Sequence, residues 1–190
     1  NSHVTAGETL TIASGGDTNV KGAVASGAQV VADVKGSLHI ESLQDTATFD
    51  SKNQSISVSA TVGAGTAVSG GVNQSKLHND YASVQEQSAI RAGDGGFQVK
   101  VDGNTDLKGA VISSSAAGAG ASSLTTATLT HSDIANHATT DASSIGLGGG
   151  MTVAGKGPGP GVSLPGVAAT SASEAGTSRS GIGAGTLVVT

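Results

Sequence analysis

Apolar and polar residues alternate in short runs along the first forty residues of the chain. Leu10 and Ile12 are separated by one polar residue, and the same spacing recurs at Leu38 and Ile40. Successive side chains of a β-strand point to opposite faces, so this alternation predicts strands and not helices. Glycines separate the runs. The pattern therefore predicts several short strands with a glycine turn at many of their ends.

The alternating pattern recurs with a period of twenty residues. VTAGETLTIASGGDTNVKGA, which begins at Val4, aligns with VASGAQVVADVKGSLHIESL, which begins at Val24. Apolar residues and glycines that recur at a fixed period are typical of a solenoid, in which each repeat packs on its neighbours. We therefore predict an all-β fold, a parallel, right-handed β-helix with coils of about 20 residues and about three short strands in each coil. The alternation assigns to the interior Val4, Leu10, Ile12, Val20, Val24, Val30, Leu38, Ile40, Ile90, Phe97, Val99, Leu107 and Val111.

The coil pattern returns twice further along the chain, at intervals of about ninety residues. IRAGDGGFQVKVDGNTDLKGAV begins at Ile90, and SGIGAGTLVV contains Ile182. We predict a single elongated repeat domain over 1–190. It comprises β-helix coils at 2–43 and 89–130, hairpin excursions at 44–88 and 131–179, and the start of another coil at 180–190. We expect the chain to be a piece of a longer protein, in which further coils flank it.

Each excursion contains two alternating runs on either side of a glycine-rich turn, the pattern of a β-hairpin. The turns are predicted at 63–65 and 155–161. One face of each hairpin is apolar, and the other carries Gly, Ser and Thr. The apolar positions, which we predict to contact a membrane or a partner, are Ile56, Val58, Val62, Val68, Val72, Ile145, Leu147, Met151, Val153, Val162 and Leu164.

Two interpretations of these hairpins remain open. The ten residues 144–153 have about the length and the alternation of a strand in an outer-membrane protein. Alternatively, the hairpins fold back to cover the side of the solenoid or to cap its edge. The second interpretation is favoured, because one hairpin cannot cross a membrane without partner strands.

The composition of the chain agrees with a solenoid and argues against several classes of function. Thirty of the 190 residues are glycine, and only three are aromatic, which suits a narrow interior filled by small and β-branched side chains. The net charge is −5 and no basic stripe is present, so we predict no nucleic-acid partner. Cysteine is absent, which excludes disulfides and thiolate metal sites.

No group of residues has the pattern of a catalytic site, a metal site or a cofactor site. Asp102-Gly-Asn104-Thr-Asp106 opens like a calcium loop, but Leu107 and Ser113 stand where that loop requires glycine and glutamate. We interpret this segment as a structural turn, and we expect the histidines, His39 among them, to be solvated. The acidic residues are scattered and no basic cluster faces them. We therefore predict that the chain is not an enzyme.

Several segments resemble the haemagglutinin-repeat region of bacterial two-partner-secretion exoproteins, the family of filamentous haemagglutinins and contact-dependent growth-inhibition toxins. They are SLHIESLQDTATFDSK at 37–52, NDYASVQEQSAIRAGDGGFQVKVDGNTDLKGAVISS at 79–114 and TSRSGIGAGTLVV at 177–189. The resemblance covers nearly the whole chain and is most specific over 79–114.

The resemblance implies a β-helical rod that a partner outer-membrane transporter exports to the bacterial cell surface. In the toxin branch, such a region engages the target cell's outer membrane and assists delivery of a C-terminal toxin. In the adhesin branch, the same region is a structural rod and an attachment surface. The resemblance alone leaves the branch undecided, and we take toxin delivery as the leading hypothesis.

Overall fold

The computed structural model describes residues 1–62, 66–115, 121–153, 161–162 and 165–190, with the backbone alone at 152–153 and 161–162. The predicted turn at 63–65, most of the loop at 155–161 and Leu164 lie outside these residues. The described part of the chain is nearly all β, with extensive parallel pairing, which confirms the predicted all-β class and is consistent with a β-helix.

The strands are β1 (Ser2–Thr5), β2 (Thr9–Ser14), β3 (Thr18–Lys21), β4 (Ala23–Val34), β5 (Leu38–Glu41), β6 (Asp45–Val62), β7 (Thr66–Ser83), β8 (Ala89–Lys108), β9 (Val111–Ser114), β10 (Ser123–Ser132), β11 (Ile134–Val153), β12 (Gly161–Val162), β13 (Gly166–Ser178), β14 (Gly181–Ile182) and β15 (Thr186–Val189). Within the described residues, β6, β7 and β11 to β13 form a five-stranded sheet, and the other ten strands form a second sheet.

The chain divides into two compact units that follow these sheets. The parallel unit consists of Asn1–Asp45, Ala82–Asn136 and Ala175–Thr190. The excursion unit consists of Thr46–Tyr81 and His137–Glu174.

Strands of the parallel unit stack so that equivalent residues of successive segments form columns. Leu10 of β2 pairs with Val30 of β4, twenty positions later, and Val30 pairs with Phe97 of β8. A neighbouring column runs from Val99 to Leu124 of β10. Because each column is apolar and points inward, it removes a continuous stripe of side chains from water.

Most of the predicted interior positions are buried. Those that are less than one-tenth exposed are Val24, Val30, Leu38, Ile40, Ile90, Phe97, Val99 and Leu107. Leu10, Ile12 and Val20, in the first strands of the unit, are partly buried and pack against this core.

Two of the predicted interior positions are wrong. Val4 is 56% exposed, because it ends a column and has a paired neighbour, Ala25, on one side only. Val111 is half-buried, because the residue paired with it in β14 is Gly181, which has no side chain to cover it. The neighbouring Ile112 is fully buried instead.

The sequence KGAV occurs at 21–24 and again at 108–111, and it forms the same corner in both places. Gly22 and Gly109 each have a φ angle of 57°, in the left-handed region that favours glycine. A Cβ atom on Gly109 would lie 2.6 Å from Cδ1 of Ile134, and one on Gly22 would lie 2.7 Å from Cδ1 of Leu43. The left-handed backbone conformation therefore favours glycine at this corner, and a larger residue would also displace the side chain of Leu43 or Ile134.

Candidate functional site: the apolar face of the excursion sheet

Side-chain contacts fix the register of β6 against β7. Ser57 donates a hydrogen bond to the Gly71 carbonyl, and the Ser59 and Ser69 hydroxyl groups are 2.6 Å apart. At the other end of the strands, Asp50 contacts His78. Each step forward along β6 is thus matched by an equal step backward along β7. The two strands are antiparallel and keep one register over this length.

This register places the predicted apolar residues of both strands on one face. Ile56 lies opposite Val72, and Val58 and Val62 follow at alternate positions of β6. Val68 of β7 lies on the same face, close to the end of β6 that carries Val62.

The strand β11 extends this face. The Leu147 carbonyl lies 3.4 Å from the position that a Cβ atom on Gly71 would occupy, so β11 adjoins β7. Gly148 then lies beside Gly71, which places Leu147 beside Val72 on the apolar face. Ile145 and Met151 share the face with Leu147 because they are separated from it by even numbers of residues.

The apolar side chains of this face are exposed. Their exposed fractions range from 41% at Val72 to 84% at Val62 for the predicted residues Ile56, Val58, Val62, Val68, Val72, Ile145, Leu147 and Met151. For the predicted residues Val153 and Val162 the structure gives the backbone alone: both lie in strands, and Val162 pairs with Gly149. We call the eight exposed residues the apolar face.

The opposite face of the same sheet is built from small residues. Ser57, Ser59, Ser69, Gly71 and Gly148 line a shallow depression on it. Beside the apolar face, the opposite face is thus mainly serine and glycine, whereas farther along the strands it also carries the exposed side chains of Phe49 and Leu77.

On the same side of the sheet as the apolar face, a group of titratable residues lies farther along the strands. Nδ1 of His78 is 2.7 Å from Oδ1 of Asp50, and this hydrogen bond, followed by the charge of Asp50, raises the pKa of His78. A depression of about 400 Å³ is lined by this pair together with Asp141, Lys52 and Lys76. Sequence reasoning missed this cluster, because its members are far apart in the chain. The register of the hairpin is the signal that brings them together.

In the parallel unit, the strongest electrostatic contact is made by Glu41. Its carboxylate lies 2.9 Å from Nζ of Lys21 and 3.0 Å from Nζ of Lys108, on the paired positions of β3 and β8. The hydrogen bonds from these two lysines lower the pKa of Glu41 to about 2. This ladder links three parallel strands but presents no reactive group.

His39 and the acidic segment at 102–106 make contacts that join neighbouring strands. Nδ1 of His39 is 2.7 Å from Oδ2 of Asp106 on the adjacent strand, and Asp106 also accepts a hydrogen bond from Thr130. Asp102 lies near Lys35 and Lys100, and Asn104 hydrogen-bonds to Thr128. The segment predicted as a turn is part of β8, and its polar side chains join neighbouring strands.

No helix among the residues that the structure describes is long and apolar enough to cross a membrane. Over the same residues, the histidine and carboxylate side chains form no group of three or more that is arranged to hold a metal ion.

Comparison with known proteins identifies the chain. The hemagglutinin-repeat family model matches residues 1–56. Toxin CdiA of Escherichia coli is 38% identical over 196 aligned residues, which cover 97% of this chain and 6% of that protein. The chain is a haemagglutinin-repeat segment of two-partner-secretion exoproteins. The resemblance seen in the sequence is thus confirmed at the level of the family.

Further relatives of this haemagglutinin-repeat segment carry other activities in their names. A deoxyribonuclease CdiA of Dickeya dadantii is 40% identical over 148 residues, covering 76% of this chain and 4% of that protein. A 16S rRNA endonuclease CdiA of Enterobacter cloacae is 44% identical over 139 residues, covering 71% of this chain and 4% of that protein. The segment thus spans a small fraction of each relative's length. No solved structure is significantly similar to the chain.

Proposed function

We propose that this haemagglutinin-repeat segment is a non-enzymatic part of a large secreted, cell-surface exoprotein, and that it engages the outer membrane of a target cell during toxin delivery in contact-dependent growth inhibition. The observation that carries the proposal is the apolar face, on which eight bulky side chains from three strands are exposed together. Large exposed apolar patches of this kind mark surfaces that meet a membrane or another protein.

The length of the apolar face supports a membrane as the surface that it meets. Ile56 to Val62 spans seven residues of β6. At a rise of ~3.3 Å per residue, this part of the strand is about 20 Å long. The outward apolar band of outer-membrane proteins is ~25 Å tall, so the two dimensions are similar.

We propose further that the parallel unit is a β-helix with coils of about 20 residues, from which the excursions protrude as antiparallel hairpins. The twenty-residue separation of paired residues in β2 and β4, and in β3 and β5, supports this coil length. The proposed domain organisation follows: coils at 2–43 and 89–130, excursions at 44–88 and 131–179, and a further coil that begins at 180–190.

The same proposal assigns the other partners and the location. A partner outer-membrane transporter exports the polypeptide, the segment acts at the bacterial cell surface, and further coils of the same polypeptide flank it. Several relatives are named as nucleases, but the chain covers only 4–13% of the relatives' length. We therefore assign no catalytic residue, metal or cofactor to this segment, and no nucleic-acid partner.

The proposal is tested in the full-length parent protein by in-frame removal of Thr46–Tyr81 and His137–Glu174, with surface display confirmed. Killing of sensitive neighbours and attachment to them are scored side by side. We expect killing to fall while attachment is retained. Unchanged killing would rule out a role of the excursions in delivery.

An adhesive role is the second candidate, because an exposed apolar face also suits a protein receptor. The four-residue variant Ile56→Ser, Val58→Ser, Leu147→Ser and Met151→Ser separates the two roles while retaining the excursions. Under the delivery proposal, this variant attaches but does not kill. Loss of attachment would instead make the face an adhesin surface, and retention of both activities would reduce the segment to a structural rod.

A further inference from the structure

The two outer strands of the excursion sheet, β6 and β13, each have one unpaired side. Among the described residues, β6 pairs with β7 alone, and β12 and β13 both pair with β11, whose other side is occupied by β7. The strands therefore follow the order β6, β7, β11, β13. β6 has 18 residues and β13 has 13. A strand edge of this length presents a row of backbone N–H and C=O groups to which another strand can add.

The outer strands lack most of the features by which proteins prevent pairing at a sheet edge. Both strands are without proline, and Glu174 is the one charged residue of β13. Residues 53–62 of β6 are uncharged and include Ile56, Val58 and Val62. Nearly all residues of both strands are exposed. Long, exposed edges of this kind are typical of strands that pair with a partner.

The junction of β7 with β11 shows which kind of strand fits these edges. β7 is the second strand of the first excursion, and β11 is the first strand of the second excursion. Gly71 of β7 lies beside Gly148 of β11. Asp80, farther along β7, accepts a hydrogen bond at its carbonyl from Thr139, which comes earlier in β11. The excursions are therefore joined antiparallel, the second strand of one to the first strand of the next.

The register of this junction matches the repeat in the sequence. We call each interval of about ninety residues, which contains two coils and one excursion, a superrepeat. Two rows across the sheet take one residue each from β6, β7 and β11: Ser57, Gly71 and Gly148, and Ser59, Ser69 and Gly150. In both rows the residues of β6 and β11 are one superrepeat apart. The same separation relates Leu43 to Ile134, the side chains that lie closest to the two corner glycines.

The parallel unit grows by the same step as the excursion sheet. In the first superrepeat β2 and β4 are neighbouring strands, and in the second β8 and β10 are. β15, which begins a third superrepeat, pairs with β10. Each unit thus adds two strands per superrepeat, and at ~4.8 Å between neighbouring strands both advance by about 10 Å. Because the two periods are equal, a further superrepeat can extend both sheets without a mismatch.

We propose that the excursions of successive superrepeats form one continuous antiparallel sheet, in which β13 pairs with the first strand of the next excursion and β6 with the second strand of the preceding one. Each junction repeats that of β7 with β11. The inference rests on the proposed function in one respect, since it requires further superrepeats in the same polypeptide. It does not depend on what the apolar face meets.

A continuous sheet would enlarge the apolar face. Ile56, Val72 and Leu147 already form one apolar row across three strands. Every further excursion that carries apolar residues at these positions would widen the face by about 10 Å. The apolar face of this segment is then one part of a wider surface, whose width is set by the number of superrepeats.

Disulfide cross-linking tests the junction at β13, because this chain contains no cysteine of its own. In the full-length parent, Ala172→Cys is combined with a cysteine at the position of the next excursion that corresponds to Thr139. Ser88 and Ser180 follow the two excursions, and Ala172 lies as far before its serine as Asp80 does, which makes it the counterpart of Asp80. A protease site is placed in the coil between the two cysteines. We expect oxidation to keep the two fragments joined after cleavage.

Two cysteine pairs serve as controls. Asp80→Cys with Thr139→Cys joins strands that pair in this structure, where the Thr139 hydroxyl lies 3.4 Å from the Asp80 carbonyl oxygen, and should form the disulfide. Ser173→Cys in place of Ala172→Cys should not, because neighbouring residues of a strand point to opposite faces. The junction at β6 is tested in the same way, with Thr48→Cys and a cysteine at the counterpart of Asp80 in the preceding excursion.

The other outcomes overturn the inference. Separate fragments for either junction pair, while the control pair at Asp80 and Thr139 stays joined, would reject pairing at that edge. The delivery proposal would be unaffected, because killing by the deletion variant is scored independently. A cross-linked species of twice the mass of the polypeptide before cleavage would make the partner a second copy. Equal linkage through Ser173→Cys would show random collision instead of strand pairing.

Discussion

At the scale of single residues, the most constrained charge in the described chain is the Glu41 carboxylate. Two lysines on neighbouring strands donate hydrogen bonds to it and lower its pKa from 4.5 to about 2. Folding thus favours the ionised form of Glu41. This contribution to stability is fully present above the ordinary pKa of glutamate and is lost as the pH falls towards 2.

We therefore predict that the parallel unit loses stability between about pH 5 and pH 2 through Glu41. The variant Glu41→Gln should be less stable than the wild type at pH 7 by about 1–2 kcal/mol, a value reduced because water screens the half-exposed lysines. The difference should shrink at pH 2. Urea denaturation at both pH values measures it. A difference that grows on acidification would contradict the assigned sign.

Val99 is the residue that tests the interior of the coils. Its side chain is 2% exposed and lies in a column between Ala32 and Leu124. Val99→Asp should lower the free energy of unfolding by at least ~3 kcal/mol, because it buries an unpaired charge. The control Gln98→Asp introduces the same charge at the exposed neighbouring position. Equal melting temperatures for the two variants would show that the interior is assigned incorrectly.

Alternation in the sequence predicted most of the interior because each column repeats the same kind of residue. Leu38 and Ile40 are therefore recognisable without the structure. Val4 is not distinguishable from them by pattern, because its exposure depends on its place at the end of a column. Ile112 is buried and pairs with Ile182, whereas Val111 pairs with Gly181, about seventy residues away. A local sequence pattern cannot predict a neighbour so distant in the chain.

At the scale of elements, a serine closes the coil at each place where the chain returns from an excursion. The Ser88 hydroxyl donates to the Glu41 carbonyl, 2.7 Å away, and accepts from the Ala23 N–H group. Ser180 repeats this arrangement: its hydroxyl donates to the Ser132 carbonyl, 2.6 Å away, and accepts from the Ala110 N–H group. Both serines thus link the returning strand to the alanine that follows the corner glycine and to the strand that precedes the excursion.

Removal of these hydroxyl groups should have unequal effects. Ser88 is fully buried, so Ser88→Ala should destabilise the chain by ~1–3 kcal/mol, the cost of buried polar groups left without partners. Ser180→Ala should cost less, since Ser180 is only half-buried and water replaces part of the lost bonding. Thermal unfolding, with the exposed Ser173→Ala as the control, gives the comparison. A larger effect at Ser180 would contradict it.

The corner glycine provides a second test at this scale. Gly109→Ala forces a side chain into the left-handed region and towards Ile134, and should cost at least ~1–2 kcal/mol. Gly181→Ala, where no atom lies within 4 Å of the added Cβ, should change stability little. Chemical denaturation of both variants measures the loss in the free energy of unfolding relative to the wild type. Similar losses would mean that the corner conformation is not the cause.

The elements of the excursions were only partly predictable. Alternation identifies the two runs of each excursion and the apolar residues on them. It does not state that all the runs join one sheet, because that pairing links β7 to β11, which are distant in the chain. The Asp50–His78 contact depends on the register of β6 against β7, which alternation alone does not fix.

At the scale of the whole molecule, the two units differ in what stabilises them. The parallel unit has a buried core, which includes Phe97, Leu107 and Leu124. The excursion unit holds exposed apolar side chains instead. We attribute the stability of the chain mainly to the parallel unit, since removal of apolar surface from water is the largest favourable contribution to folding.

Removal of Thr46–Tyr81 and His137–Glu174 should accordingly leave cooperative unfolding of the remaining chain. The melting temperature should fall by only a few degrees, because the residues of the core are retained. Circular dichroism at increasing temperature measures it, with the intact chain as the reference. Loss of the cooperative transition would show that the excursions are required for folding.

In both halves of the chain, a serine of the returning strand bonds to the residue after a left-handed glycine corner and to the strand that precedes the excursion. Between these repeated closures, the two excursions pair with each other in one sheet, through β7 and β11. A substitution where β7 meets β11 therefore has to suit a partner strand from the other excursion, about seventy residues away in the chain, much as a residue at a subunit interface has to suit its partner subunit.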